Sequence, residues 1–179
     1  DAHRGSSAGR HEAKAHVAEL KRRGNEDVLT GLPNRHWIQA YLPKALQHAQ
    51  QAEERLALLF IDLDGFKKVN DTAGHAAGDE LLRHAAERLQ EAVRPHDNVV
   101  RFGGDEFVVI IENIEHRMDA AHVAERIGVA FRQAFRLSHG VHQVGTSVGI
   151  AMFPTDGAAA PTLLEKPDIA RYSAQPTGK

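Results

Sequence analysis

In the stretch "FIDLDGFKKVND", Asp62 and Asp64 stand two residues apart at the end of an apolar run. Side chains of an extended backbone alternate between faces with a period of two, so both carboxylates fall on one face as long as the strand persists. Two anions side by side with no cation on the strand repel, and a hard divalent cation that takes oxygen ligands relieves the repulsion. The competing reading is a polar strand end at which Asp64-Gly65 makes a turn. A second pair of carboxylates bears on the choice. In "NVVRFGGDEFVVII", Asp105 and Glu106 follow Gly103-Gly104 between two runs of strand-forming residues. Both glycines tolerate positive φ, so Gly103-Gly104 reads as the turn of a hairpin. If that hairpin neighbours the strand ending at Asp62, then Asp62 and Asp105 converge, and the glycines leave room for a bulky ligand against the backbone.

The elements that must position these residues follow from periodicity. "RLALLFIDL" is nearly all apolar, as expected of a strand covered on both faces. Upstream, "RHWIQAYLPKALQHAQQAEE" reads as a helix with Trp37, Tyr41 and Leu46 inward, entered from the turn-rich "DVLTGLPNR". "HAAGDELLRHAAERLQEAV" is a helix with Leu81, Leu82, Ala85, Leu89 and Val93 along one stripe. Beyond the hairpin come a helix, "DAAHVAERIGVAFRQAF", and a strand, "QVGTSVGIAMF", ending at Pro154. The tail "TLLEKPDIARYSAQ" reads as helical, interrupted by Pro167 and ended by Pro176. This order predicts an α/β sandwich of the α+β type, palm-like or ferredoxin-like, with a central, mainly antiparallel sheet flanked by helices.

Residues 1–10 are polar and aperiodic and read as a disordered start. Residues 11–26 read as an N-terminal helix with a narrow stripe of Ala13, Val17 and Leu20, either lying on its own domain or forming the tail of a signalling helix from an upstream module. The domain itself is expected over 27–179. The chain of 179 residues carries 22 Lys+Arg against 24 Asp+Glu, a formal charge of -2, so it lacks the basic excess of a protein that coats nucleic acid. It has no cysteine, which excludes disulfides and thiolate metal sites. No apolar run approaches the length of a membrane span. The first residue is Asp1 rather than methionine, as in a piece of a longer protein. His139 and His142 stand three apart without further ligand candidates beside them, which argues against a zinc site.

Taken together, "DVLTGLPNR", "DLDGFKKVNDTAGHAAGD", "RFGGDEF" and "SVGIAMFP" resemble the GGDEF domain of bacterial diguanylate cyclases. The resemblance runs from Asp27 to about Phe153 and weakens beyond. It implies a palm-like fold and condensation of two GTP molecules into cyclic di-GMP with release of pyrophosphate. By the same resemblance, Asp62, the Leu63 carbonyl and Asp105 hold Mg2+, with Mn2+ as the alternative ion. Lys67 and the backbone around Phe66 contact phosphate, and Asn70 and Asp79 read guanine. That last assignment is chemically reasonable, because a carboxylate accepts the guanine N1–H and N2–H donors and an amide can donate to O6 or N3. The pair also disfavours cyclisation of ATP. Glu106 is catalytic by resemblance, with a structural role as its alternative.

Arg94 and Asp97, with five residues between Asp97 and Gly103, read on their own as a helix end and a turn. The resemblance implies instead an inhibitory product site, which Arg126 completes. It further implies a homodimer, since two GTP half-sites must face each other, an upstream sensor, a downstream phosphodiesterase domain as a further partner, and a cytoplasmic location, with membrane tethering open for the full-length protein. The C-terminal segment departs from the family pattern. Pro167 stands where alanine is usual, Arg171 where methionine is usual, and Gln175 where a lysine helps hold the terminal phosphates. Two functions therefore stand side by side: an active diguanylate cyclase, and a catalytically weak or inactive module that binds GTP or cyclic di-GMP and regulates an attached domain.

Overall fold

The strand Arg55–Asp64 (β1) is the centre of the molecule, and its sequence explains why. The computed structural model describes residues 24–165 and the backbone of 171–173. Leu56 through Ile61 are all buried, the odd-numbered residues in one core and the even-numbered ones in another. A strand that lines two cores has no polar face, hence the unbroken apolar run. One face is covered by helix α1 (Arg35–Ala52). The other is covered by α3 (His75–Ala92) and α4 (Arg117–Ala130).

Strands β2 (Asn98–Gly103) and β3 (Glu106–Ile114) form the expected hairpin, and β6 (Gly145–Phe153) flanks β1 on its other side. With β7 (Arg171–Ser173) the sheet order is β2-β3-β1-β6-β7, and every neighbouring pair is antiparallel. The chain order, β1 then helices, β2, β3, a helix and β6, is the split arrangement expected from the sequence.

Some local expectations need correction. In α1 the buried stripe is Ile38, Leu42, Ala45, Leu46 and Ala49. Trp37 and Tyr41 are only partly buried at its margin and stack with ring centroids 4.5 Å apart. A short helix, α2 (Phe66–Ala73), stands between β1 and α3. It is delimited by Gly65 (φ 93°) and Gly74 (φ 94°), conformations that favour glycine.

The helix expected to run to Phe135 stops at Ala130. A small hairpin follows, β4 (Phe135–Leu137) with β5 (Gly140–His142). Arg88 of α3 fixes that exit, donating to the carbonyls of Ala130 and Gln133 at 3.3 and 2.6 Å while its guanidinium lies 3.6 Å from the Phe135 ring centroid.

The tail is not one helix. It holds the four-residue α5 (Ala160–Leu163), and β7 adds to the edge of β6. An unpaired sheet edge offers a short segment a full set of backbone partners, which overrides weak helical periodicity. Pro167, Gln175 and Pro176, the expected start at 1–10 and the helix over 11–26, except its last residues, lie outside the described residues.

Candidate active site

Asp62 and Asp64 occupy the C-terminal end of β1, both half-buried, on the face that carries Leu56, Leu58 and Phe60. The hairpin does lie beside this strand. Asp62 is in register with Glu106 of β3 on one side and with Ser147 of β6 on the other. Since side chains in register on neighbouring strands project to the same face, Glu106 shares the face of Asp62. Asp64 is engaged separately: the Ser147 hydroxyl donates toward its two carboxylate oxygens at 3.0 and 2.9 Å.

The turn is one residue later than expected. Gly103 belongs to β2 and pairs with Glu106, so the two-residue loop is Gly104-Asp105, with Gly104 at φ 51°. Asp105 is therefore a turn residue rather than a strand residue. The Leu63 amide donates to its carbonyl at 3.3 Å, which ties the turn to the end of β1. Thus Asp62, Leu63, Asp105 and Glu106 come together as expected, through strand register and one main-chain bond.

Lys67 is exposed in the first turn of α2, directly after Phe66. The N-cap of that helix is Gly65, which has no side chain to satisfy the first N–H groups. Asn70 lies one turn further along α2, and Asp79 is exposed in the first turns of α3. The Asn70 amide lies against Gly78, the residue before Asp79: an ideal Cβ built on Gly78 falls 1.7 Å from the Asn70 Oδ1.

Two residues important to this site were not singled out by the sequence. Arg101 donates through Nε and Nη2 to the Gly104 carbonyl at 3.2 and 2.9 Å, and through Nη1 to both Asp27 oxygens at 3.0 and 3.2 Å. Asp27 also accepts from the Thr30 amide and hydroxyl at 2.9 and 2.7 Å. Burial acts to raise the Asp27 pKa, but the Thr30 and Arg101 hydrogen bonds outweigh it and hold the carboxyl below its usual value. The only hint in sequence is an aspartate three residues before a threonine in a turn-rich run.

The donors expected to hold a metal are all oxygens: two carboxylates and one carbonyl. That set fits a hard cation such as Mg2+ and not a thiolate or imidazole metal. Among the described residues no group of three or more His, Cys, Asp and Glu side chains is arranged to hold a metal ion. His139 and His142 bring their Nε2 atoms to 2.7 Å of one another on the exposed β4–β5 hairpin, outside any such group.

Comparison with known proteins decides the family. The family model described as the diguanylate cyclase GGDEF domain matches residues 25–179. The chain belongs to the GGDEF family. It is 42% identical over 161 residues to the bifunctional diguanylate cyclase/cyclic di-GMP phosphodiesterase MucR of Pseudomonas aeruginosa, covering 90% of this chain. It spans 23% of the length of MucR and 37% of that of the diguanylate cyclase TpbB from the same species. The solved GGDEF domain of TpbB superposes with a TM-score of 0.75 at 40% identity, covering 78% of this chain and 81% of that one. The coiled coil and GGDEF domain of DgcB from Caulobacter crescentus, solved in complex with c-di-GMP, gives 0.73 at 26% identity, covering 86% and 82%.

In this GGDEF domain the second constellation is partly assembled. Arg94 and Arg126 line one cleft of about 620 Å³, together with Asp119, His122 and Val129. Asp97 is not among its lining residues. Its side chain is fully buried and accepts from the Arg94 amide at 3.0 Å and from the Arg94 guanidinium at 2.9 to 3.2 Å. The helix-end and turn geometry read from the sequence is therefore present, and it is closed by the same two residues assigned to the product site.

Among the described residues no helix is long and apolar enough to cross a membrane.

Proposed function

We propose that this domain condenses two GTP molecules into cyclic di-GMP. Each 3'-hydroxyl attacks the α-phosphate of the other nucleotide, a new P–O bond forms, the bond to pyrophosphate breaks, and the hydroxyl proton leaves. The observation that carries the reading is the strand register setting Asp62 beside Glu106 and tying Asp105 to Leu63. An uncapped helix start with Lys67 follows directly, and an uncapped N-terminus is suited to an anion.

In this reading Asp62, the Leu63 carbonyl and Asp105 hold Mg2+, with Mn2+ as the alternative. The ion supplies charge neutralisation of the triphosphate and activation of the hydroxyl. Lys67 and the α2 amides from Phe66 onward bind phosphate. Asn70 and Asp79 orient the base. Glu106 shares the face of Asp62 and acts beside it on the reacting groups. Two domains must meet face to face, so the working unit is a homodimer. In a full-length protein, an upstream sensor and an attached phosphodiesterase domain are the partners that control or oppose it.

Cyclic di-GMP is proposed as inhibitor at the Arg94–Arg126 cleft. The Arg94 side chain is 32% exposed and can meet a guanine from the solvent side, whereas Asp97 can accept from a ligand only after releasing Arg94. The test is incubation with GTP and Mg2+, with pyrophosphate and cyclic di-GMP resolved by chromatography, repeated with added cyclic di-GMP. Both products should appear, in a 2:1 ratio by the stoichiometry of the reaction, and added cyclic di-GMP should slow their formation. Binding of GTP without products identifies a regulatory binding module instead.

A further inference from the structure

Gly78 occupies a position where a glycine needs explaining. It is the fourth residue of α3 and buried, and within a helix glycine is destabilising relative to alanine. Its backbone is helical, so no left-handed conformation calls for it, in contrast to Gly74 at the N-cap with φ 94°. The three atoms nearest to an added Cβ all belong to the Asn70 amide: Oδ1 at 1.7 Å, Cγ at 2.8 Å and Nδ2 at 3.4 Å. Turning the amide over exchanges O and N but leaves an atom at the closest position and Cγ where it is, so either assignment clashes. The Asn70 backbone is held by its carbonyl, which accepts from Gly74 N at 2.9 Å in the last turn of α2, so the group that gives way to a methyl at Gly78 is the flexible amide, which must swing out of its place.

We infer that Gly78 is a positioning residue for base recognition: by lacking a side chain it lets the Asn70 amide lie against the first turns of α3, next to Asp79, so that the two groups face one guanine at a fixed spacing. The inference rests on the proposed reading of Asn70 and Asp79 as the guanine-binding pair.

The test uses this chain with Mg2+ and the non-hydrolysable α,β-methylene analogues of GTP and ATP, followed by calorimetry, with thermal melts in parallel. Gly78→Ala should lower the preference for the guanine analogue at least tenfold, as should Asn70→Ala, and combining the two should add little. The melts read the packing independently of binding. Gly78→Ala should raise the Tm clearly less in the native chain, where the methyl displaces the amide, than in the Asn70→Ala background, where that displacement is gone and the better helix propensity of alanine acts unopposed by it. An equal Tm change in both backgrounds, or an undiminished guanine preference in Gly78→Ala beside a reduced one in Asn70→Ala, overturns the inference. If Asn70→Ala itself keeps the full preference, the reading of Asn70 as a guanine contact fails, and the specificity role of Gly78 fails with it.

Discussion

Replacing Arg101 by alanine should both destabilise the domain and impair turnover. The side chain makes two bonds to the Asp27 carboxylate and two to the Gly104 carbonyl, and the side chains of the ion pair are 16% and 19% exposed. An exposed ion pair contributes about 0–1 kcal/mol, and a hydrogen bond to a charged group about 1.5–3 kcal/mol. With four-fifths of each side chain covered, the loss belongs in the lower part of the second range, at about 2 kcal/mol. For a domain of this size each kcal/mol moves Tm by about 2–4 °C, so Arg101→Ala should melt about 4–8 °C lower.

A double-mutant cycle with Asp27→Ala isolates the pair, and its coupling should be about 1–2 kcal/mol. The pH dependence has a definite sign. The folded Asp27 pKa lies below its ordinary value of 3.8, so the folded state favours the carboxylate. Its contribution is fully present above the unfolded pKa and is lost as pH falls through the depressed folded value. The melting difference between wild type and Arg101→Ala should therefore be constant from neutral pH to about pH 5 and shrink only below about pH 4. Because Gly104 and Asp105 form one two-residue loop, loss of the two donors on the Gly104 carbonyl frees the turn. A displacement of about 1 Å at a reacting centre costs on the order of 100-fold, so initial rates of pyrophosphate release should fall by about 10- to 100-fold. A coupling energy under about 0.3 kcal/mol, within the error of additivity, would falsify the latch.

Three further outcomes are expected. Asp62→Asn and Asp105→Asn should each abolish cyclic di-GMP formation while circular dichroism and melting stay native-like, since each removes the charge of a proposed metal ligand without removing packing; wild-type rates in either purified variant exclude that residue from the metal set. Asp79→Ala should weaken GTP binding at least about tenfold and leave ATP binding unchanged, because the carboxylate's partners exist on guanine alone; equal calorimetric losses for both nucleotides reject the assignment. Burial and the adjacent Glu112, whose Oε2 accepts from the Tyr41 hydroxyl at 2.5 Å, push the Tyr41 phenol up to about 12. Because the folded pKa is raised above 10, this contribution is complete below pH 10 and lost as pH rises toward 12; ultraviolet titration should show a phenolate step near 12 that disappears in Tyr41→Phe, and a single step near 10 in wild type contradicts it.

What was legible in the sequence was what local pattern determines. The run from Leu56 to Ile61 announces a doubly covered strand because a residue on either face meets a core. Asp62 and Asp64 announce a shared face because strand alternation is local. The turn was misplaced by one residue because two adjacent glycines are equally tolerant of positive φ, and the choice between them depends on the bulge that seats Gly103 opposite Glu106. The tail was misread because β7 exists through the edge of β6 and not through its own periodicity. Asp27 and Arg101 are 74 residues apart, and no local rule joins them. Gly78 passes in sequence for an ordinary helical glycine, and its meaning appears only when the Asn70 amide lies over it.

The same long-range contacts determine how this site can respond to events elsewhere. The segment 24–34 is fastened to the signature hairpin by more than the Asp27 ion pair. Arg101 N donates to the Pro33 carbonyl at 2.9 Å, Asn34 forms a parallel bridge with Arg101, and Arg35 donates to the Phe102 carbonyl at 3.3 Å while lying 4.0 Å above the Phe102 ring. Within the segment, Asn34 N closes onto the Asn25 carbonyl at 2.9 Å and Asp27 N onto the Leu32 carbonyl at 2.7 Å, so residues 25–34 form one internally bonded unit. A displacement of that unit either carries strand β2 and the Gly104-Asp105 turn with it or breaks charged and main-chain bonds together. Residues 25–34 are thus joined to the Gly104-Asp105 turn through contiguous bonded contacts, so a movement of that unit bears on the geometry of the carboxylates proposed to hold the metal.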